Sequence, residues 1–377
     1  MKILVINAGS SSIKFQLIES SIMFCLYKGI VEIPPETSGK NAYHNGIKFI
    51  ADLLLKEKII KNRNEIKLIG HRVVHGGEEY KKPTVITAKV LKKIQDLCEL
   101  APLHNPANLE GIRACQKIFP KAKNVAVFDT AFYSTIPEKA YLYALPYSLY
   151  KNKKIRRYGF HGTSHQYVVN EALKILEEKE GRYFVKNAKI VSCHIGNGVS
   201  ITASIGGRAV DTSMGFTPLE GVPMGTRSGD IDPEIVLYLA QKFSIKEAKN
   251  ILNNESGLRG ICGFSNMKDI WALAQKKNKM ARLAIEILAY RTAKYIAAYA
   301  AVMKGLNAVV FTAGIGEKAW YVRSTICDYL KFLGASIDQK KNKQNALAIN
   351  NTPSKIKILV IPTNEELLIA KEALKTR

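Results

Sequence analysis

Two arginines stand among glycines. Arg72 lies in Gly70 to Gly77, GHRVVHGG, and Arg227 in Gly225-Thr226-Arg227-Ser228-Gly229. A guanidinium is planar, stays charged at any working pH and binds carboxylate or phosphate through paired hydrogen bonds. Two of them could clamp an anionic acceptor and a group in transfer, although each alone also reads as a surface arginine of a loop. Three glycine turns add sites for anions: Gly9-Ser10-Ser11-Ser12 with hydroxyl donors, Gly196-Asn197-Gly198 with an amide, and Gly314-Ile315-Gly316 after an apolar strand. A backbone free of side chains can curl its N–H groups around phosphate oxygens. No GxxxxGK[ST] sequence is present, which excludes a P-loop. Asp129, after Val125 to Phe128, and Glu365, just after Pro362, are placed to hold Mg2+ directly or through water, because that metal keeps several waters and needs only one or two protein oxygens. Glu365 also suits simple compensation of a helix dipole. Six of the seven histidines fall in glycine or proline segments. His161 and His165 are spaced i, i+4, but no HExxH glutamate or third ligand accompanies them, so hydrogen bonding to an anion is the better reading than zinc.

The elements that would position these residues follow from apolar patterning. Lys2 to Ile6 is a strand-type run, a tight turn follows at Ala8 to Ser12, and Ile13 to Ile18 runs on as a second strand. The plan returns at Lys189: KIVSCHIGNGVSITASI lies over KILVINAGSSSIKFQLI without a gap, matching Lys2 with Lys189, Asn7 with His194 and Gly9 with Gly196. Such a repeat suggests two domains of similar plan with both turns aimed at one ligand. Strands are also expected at Asn124 to Phe128, Ala308 to Thr312 and Ile356 to Ile361, each ending in polar or glycine residues, the edge where open α/β sheets bind ligands. Helices are expected at Asn108 to Ile118, Asp232 to Phe243, Met280 to Lys304 and Asn364 to Lys375, with a capping box between Thr363 and Glu366 and with Gly305 as a terminator. Alternation of strands and helices argues for α/β layers.

With 377 residues the chain exceeds what one core organises, so two domains with a cleft between them are the expectation. No apolar run reaches the length of a membrane span, and the six cysteines show neither CxxC pairs nor metal spacing, as in a reduced cytoplasmic protein. The net charge of +24 raises the question of nucleic acid, but the lysines are dispersed with no arginine-rich tail or recognition motif, so they read as a solvated surface.

The segments NAGSSSIKF, GHRVVHGG, APLHNP, FDTAF, YGFHGTSH, CHIGNG, TSMGFTPLEG, MGTRSGDIDP, FTAGIGE and IPTNEE stand in one order along nearly the whole chain. Together they resemble the acetate kinase (acetokinase) family of the actin and sugar-kinase superfamily. The resemblance implies an α/β fold of two similar lobes with a duplicated ribonuclease-H-like core around a central cleft. Residues 1–132 plus the C-terminal helix 366–377 would form the acceptor side, and 133–365 the nucleotide-binding and dimerisation domain. It implies reversible phosphoryl transfer from ATP to acetate, giving acetyl phosphate and ADP, in a cytoplasmic homodimer that engages neither nucleic acid nor membrane. By the same resemblance Asn7 and Glu365 would position Mg2+ (or Mn2+), Arg72 and Arg227 would hold the acceptor and the transferring group, and His161 would stabilise the transition state. Asp129 would be the active-site carboxylate. It need not be a strong base, since a carboxylate acceptor is already ionised at pH 7; orienting Arg72 or metal-bound water would serve. Val74, Leu103 and Pro218 match the pocket for the acceptor's methyl group, which would exclude an extra methylene by only about 1–3 kcal/mol.

For the nucleotide, Ser10, Ser12, Lys14, His194, Ile195, Gly196, Asn197, Gly198, Gly314, Ile315, Gly316, Glu317 and Lys318 match phosphate and adenosine contacts. The adenosine segment departs from the family pattern of Asp, a variable residue and Arg: it reads Asn266-Met267-Lys268, one residue shorter, and Lys318 stands where Asn is usual. Residues 19 to 65 carry none of the motifs and read as peripheral. Two other readings use the same residues. One is a propionate- or butyrate-preferring kinase of this family; the other is an actin-like ATPase, which would leave Arg72, Arg227 and the apolar trio unexplained.

Overall fold

A computed structural model describes residues 1–33, 40–101 and 104–376. The chain divides into two compact units, one of Met1–Ser134, His161–Thr163 and Asn364–Arg377, the other of Thr135–Phe160 and Ser164–Thr363.

The first unit is built on a six-stranded sheet of β1 (Lys2–Ala8), β2 (Ser12–Glu19), β3 (Phe24–Glu32), β4 (Ile66–Val73), β5 (Thr84–Val85) and β6 (Lys123–Phe128), in the order β3-β2-β1-β4-β6-β5. β1, β2 and β3 pair antiparallel, while β1, β4 and β6 run parallel. β1 is apolar without alternation because both of its faces are covered. Leu4 and Ile6 join a core with helices Lys40–Lys56 and Asn105–Ile118; Ile3 and Val5 join another with Ile369, Ala370 and Ala373 of the C-terminal helix Glu365–Leu374. Gly70 makes the second contact close, since a Cβ there would lie 2.8 Å from the Ile369 side chain.

The second unit repeats the plan with β7 (Lys189–Ile195), β8 (Val199–Ile205), β9 (Arg208–Thr212), β10 (Ala308–Thr312) and β11 (Lys357–Val360), ordered β11-β10-β7-β8-β9. Again three strands are antiparallel and two join parallel to the central one. Asn7 and His194 hold the same place on β1 and β7, so the repeat read from the sequence is a repeat of topology. Val168, Val169, Ala172 and Leu176 of helix Gly162–Glu180 pack on β7 and β10.

Four expectations need correction. The 19–65 segment is not peripheral, because β3 completes the sheet and helix Lys40–Lys56 contributes Ile47, Ile50, Ala51 and Leu54, all fully buried. Arg72 and His71 lie within β4 rather than in a loop: the strand continues through them because it is paired with β6, Arg72 opposite Val127. The last helix is capped by Asn364, whose side chain accepts from the Leu367 amide, while the Thr363 hydroxyl is engaged with that of Ser164. Helix Lys279–Val302 ends in a Schellman arrangement with the left-handed position at Lys304; Gly305 follows and donates to Ala300.

Candidate active site

In the first unit a charged cluster forms around Arg72. Its Nε and Nη2 donate to the two oxygens of Asp129 at 3.2 and 2.6 Å, a bidentate grip on a carboxylate with no solvent exposure. Nε also lies 3.3 Å from Glu365 Oε2, and Nη1 donates to Asn7 Oδ1 at 3.4 Å. Asn7 and Glu365, far apart in sequence, therefore converge on one guanidinium. Burial alone would lower the Arg72 pKa, but the charges of Asp129 and Glu365 outweigh it and raise it. The cluster is closed by Thr163, whose Oγ1 is 2.8 Å from Asp129 and 2.7 Å from Glu365. A hydroxyl has one proton, so it donates to one carboxylate at a time.

Local sequence explains the placement. Arg72, Asp129 and Asn7 all sit at or just past the carboxyl ends of neighbouring parallel strands. Gly162 is needed because a Cβ there would lie 1.8 Å from the Asp129 carbonyl oxygen, and His161 before it takes a left-handed φ of 55° to start the helix. Asn105, the asparagine of APLHNP, and Asn108 lie on helix Asn105–Ile118 and accept from the amides of His75 and Val74, and Asn108 donates to the Ala8 carbonyl. Val74 is buried, and Leu103 lies outside the described residues. His71 bonds Asn124 at 2.7 Å; burial lowers its pKa to about 4 and does the same at His75, so both are neutral at pH 7. Ser10 lies within, and Ser12 closes, a turn in which the Gly9 amide donates to the Ser12 carbonyl, and Lys14 pairs with Asn7 across the β1–β2 hairpin.

In the second unit Arg227 is the contrasting cation. Its Nη1 donates to the Pro218 carbonyl at 3.1 Å, it has no acidic partner among the described residues, and burial lowers its pKa. A desolvated arginine without a counter-charge is one for which an anion is favourable. The same unit holds a cavity of about 810 Å³. Gly196, Asn197, Gly314, Ile315 and Lys318 of the expected phosphate turns line it, as do Asn266, Met267 and Lys268. Ile195, Gly198, Gly316 and Glu317 are adjacent in sequence to lining residues and His194 lies two positions before Gly196, while Glu317 uses its carboxylate to accept from the amides of Ala313 and Thr363. Asn266 caps helix Met267–Gln275, accepting from the Lys268 amide at 3.0 Å. Its side-chain oxygen is thus already engaged.

Sequence reasoning missed the aromatic wall. Trp271 stacks on Tyr321 at 3.7 Å between centroids, and Trp320 stands edge-on beside them. Both tryptophans of the chain line this cavity, the signal that could have found it. Thr163 was missed as a bridge between carboxylates. His165 corrects the anion reading, because its two ring nitrogens are 2.7 Å from Ser192 and Ser200 in a fully buried setting. His194 contacts the Ser164 hydroxyl at 2.8 Å.

Known proteins are similar along the full length. The acetokinase family model matches residues 2–371. An acetate kinase of Carboxydothermus hydrogenoformans is 48% identical, with 100% of this chain and 99% of that protein aligned. One of Thermotoga maritima is 49% identical over 99% and 98%. Among solved structures, a propionate kinase from Francisella tularensis superposes with a TM-score of 0.91 at 45% identity, covering 98% of each chain. The Porphyromonas gingivalis acetate kinase gives 0.89 at 38%, covering 99% of each. With a duplicated sheet, a buried Arg72–Asp129 pair and family motifs in order from end to end, this chain belongs to the acetokinase family.

Proposed function

We propose that the protein transfers a phosphoryl group reversibly between ATP and acetate, giving acetyl phosphate and ADP. The observation that carries this reading is the contrast between its arginines: Arg72, compensated by Asp129 and Glu365, is a fixed donor array, whereas Arg227 is partly buried and, among the described residues, lacks an acid. Arg72 would orient the acceptor carboxylate with Val74 and Pro218, and Leu103 is kept as the third member of the methyl pocket. Arg227 and His161 would offset charge on the transferring group. Phosphoryl transfer needs mainly in-line placement and charge neutralisation, which such donors supply. Asp129 holds Arg72 with both oxygens, which favours an orienting role over proton abstraction from an acceptor already ionised.

Asn7 and Glu365 offer oxygens, the ligand type magnesium takes, and they lie close enough to each other that both reach the Arg72 guanidinium. Asn7 and Glu365 would hold Mg2+, whose charge offsets that of phosphate oxygens when bound. The first unit would serve the acceptor and the second the nucleotide, whose base would lie toward Trp271 and Tyr321 and whose phosphates would meet the glycine turns. Ser10, Ser12 and Lys14 would add phosphate donors.

A homodimer is supported by helix Pro233–Lys242, which buries no residue and exposes Ile235, Leu237 and Tyr238 by about half, beside exposed Phe243 and Ile245. A surface this apolar on a monomer marks a contact, and a second copy would cover it. Free cysteines and the absence of any helix long and apolar enough to cross a membrane, among the described residues, support a cytoplasmic setting. The deciding assay traps acyl phosphate as hydroxamate with ATP, Mg2+ and acetate, propionate or butyrate. Acetate should give the highest kcat/KM; a clear win for a longer acid would overturn acetate, and no product with any acid would overturn the reaction.

A further inference from the structure

Arg323 is the largest fully buried side chain among the described residues. Its guanidinium reaches three pieces of chain, and every partner is a neutral oxygen. Nη1 donates to the carbonyls of Gly316 and Glu317, both at 2.8 Å, at the carboxyl end of helix Ala313–Lys318. Nε and Nη2 donate to Asn342, at its side-chain and main-chain oxygens, at 2.8 and 2.7 Å. Nη2 also donates to Asn345 Oδ1 at 2.7 Å. The five donors of the fork are thereby used.

Such an arrangement is costly to build. A buried cation is tolerated only when its hydrogen bonds are complete, and carbonyls compensate less than a carboxylate would. Burial lowers its pKa to about 10, which leaves it charged at pH 7. What the bonds connect accounts for the expense. Helix Ala313–Lys318 lines the 810 Å³ cavity through Gly314, Ile315 and Lys318; Arg323 belongs to helix Trp320–Tyr329, whose first two residues form its aromatic wall together with Trp271. Asn342 returns a bond from Nδ2 to the Trp320 carbonyl at 2.9 Å. The glycine turn and the aromatic wall are thus riveted to one side chain that lines neither.

We infer that Arg323 is a positioning residue for the nucleotide: it fixes the spacing between the Gly314–Lys318 turn and Trp320–Tyr321, and so sets nucleotide affinity without touching the nucleotide. This rests on reading that cavity as the nucleotide site. Arg323→Lys keeps a charge but loses the planar fork. Asn345→Gly removes one acceptor on the exposed side and keeps a residue suited to the φ of 53° there. ADP binding is read from the emission of the two tryptophans, and steady-state kinetics give KM for ATP and for acetate separately. Arg323→Lys should raise the ADP Kd and the ATP KM by about tenfold or more, and Asn345→Gly by about threefold, with acetate KM within about twofold of wild type. Nucleotide constants within about twofold of wild type in Asn345→Gly, or in a folded Arg323→Lys, would overturn the inference, as would an equal rise in acetate KM. If Arg323→Lys does not fold, Asn345→Gly decides. Wild-type protein that shows no saturable response to ADP would overturn the cavity assignment itself, and the inference with it.

Discussion

Replacing Asp129 by Asn tests the central pair most directly. The amide keeps one acceptor but turns an NH2 toward the Arg72 fork, so one of the two bonds at 3.2 and 2.6 Å becomes donor against donor. Breaking one partner of a fully buried pair costs about 3–5 kcal/mol. Here Arg72 keeps 17% of its side chain exposed and Glu365 remains 3.3 Å away, so about 2–3 kcal/mol is the better figure. For a domain of ordinary size that is a fall of roughly 5–10 °C in melting temperature. Activity should fall more, by about 10²–10³ in kcat, because Arg72 would swing toward Glu365 and away from the acceptor. Hydroxamate kinetics across pH 6–8 and across Mg2+ concentration read both effects. If Asp129 orients, the residual rate keeps the wild-type pH profile while the KM values for acetate and Mg2+ rise. A residual rate that climbs with pH while the wild-type rate stays flat would mean a lost base and refute the argument, and so would unchanged KM values.

Arg227→Met should lower kcat by about 10²–10³ yet leave the melting temperature unchanged or higher, because a partly buried cation with no acid among the described residues is removed; a large loss of stability with activity kept would contradict this. Acid should destabilise the protein through His71 and His75. Their folded pKa of about 4 lies below the unfolded value near 6.5, so their contribution is complete above pH 6.5 and lost as pH falls toward 4, at most about 3 kcal/mol each. Denaturant midpoints from pH 7 to 5 should fall less in His71→Gln than in wild type; parallel slopes would assign the effect elsewhere. Sedimentation should show two copies for the wild type and one for Leu237→Asp with Tyr238→Asp; a wild-type monomer at micromolar concentration would remove the dimer.

The local pattern of the chain already held its repeat. KILVI and KIVSC are apolar because both faces of a central strand must be covered, and that demand is written residue by residue. Arg72, Asp129, Glu365 and the glycine turns were legible too, because few residue types bind anions or admit close backbone approach. Other features depended on partners distant in sequence. β3 and helix Lys40–Lys56 carry no motif, and only the pairing of β3 with β2 and the burial of the helix against β1 and helix Asn105–Ile118 show them to be part of the first unit's framework. Arg72 read as a loop residue until pairing with β6 placed it in a strand. His165 looked ready for an anion, and only Ser192 and Ser200 from β7 and β8 show it saturated. Trp271 and Trp320 offered only their rarity as a signal and Arg323 none, for a stacking wall and a five-donor rivet exist only once separate helices meet. Sequence by itself therefore determined the strand plan and the reactive residue types, whose constraints are local. Tertiary structure alone decided which charges are compensated, since burial and partnership are properties of the packed chain.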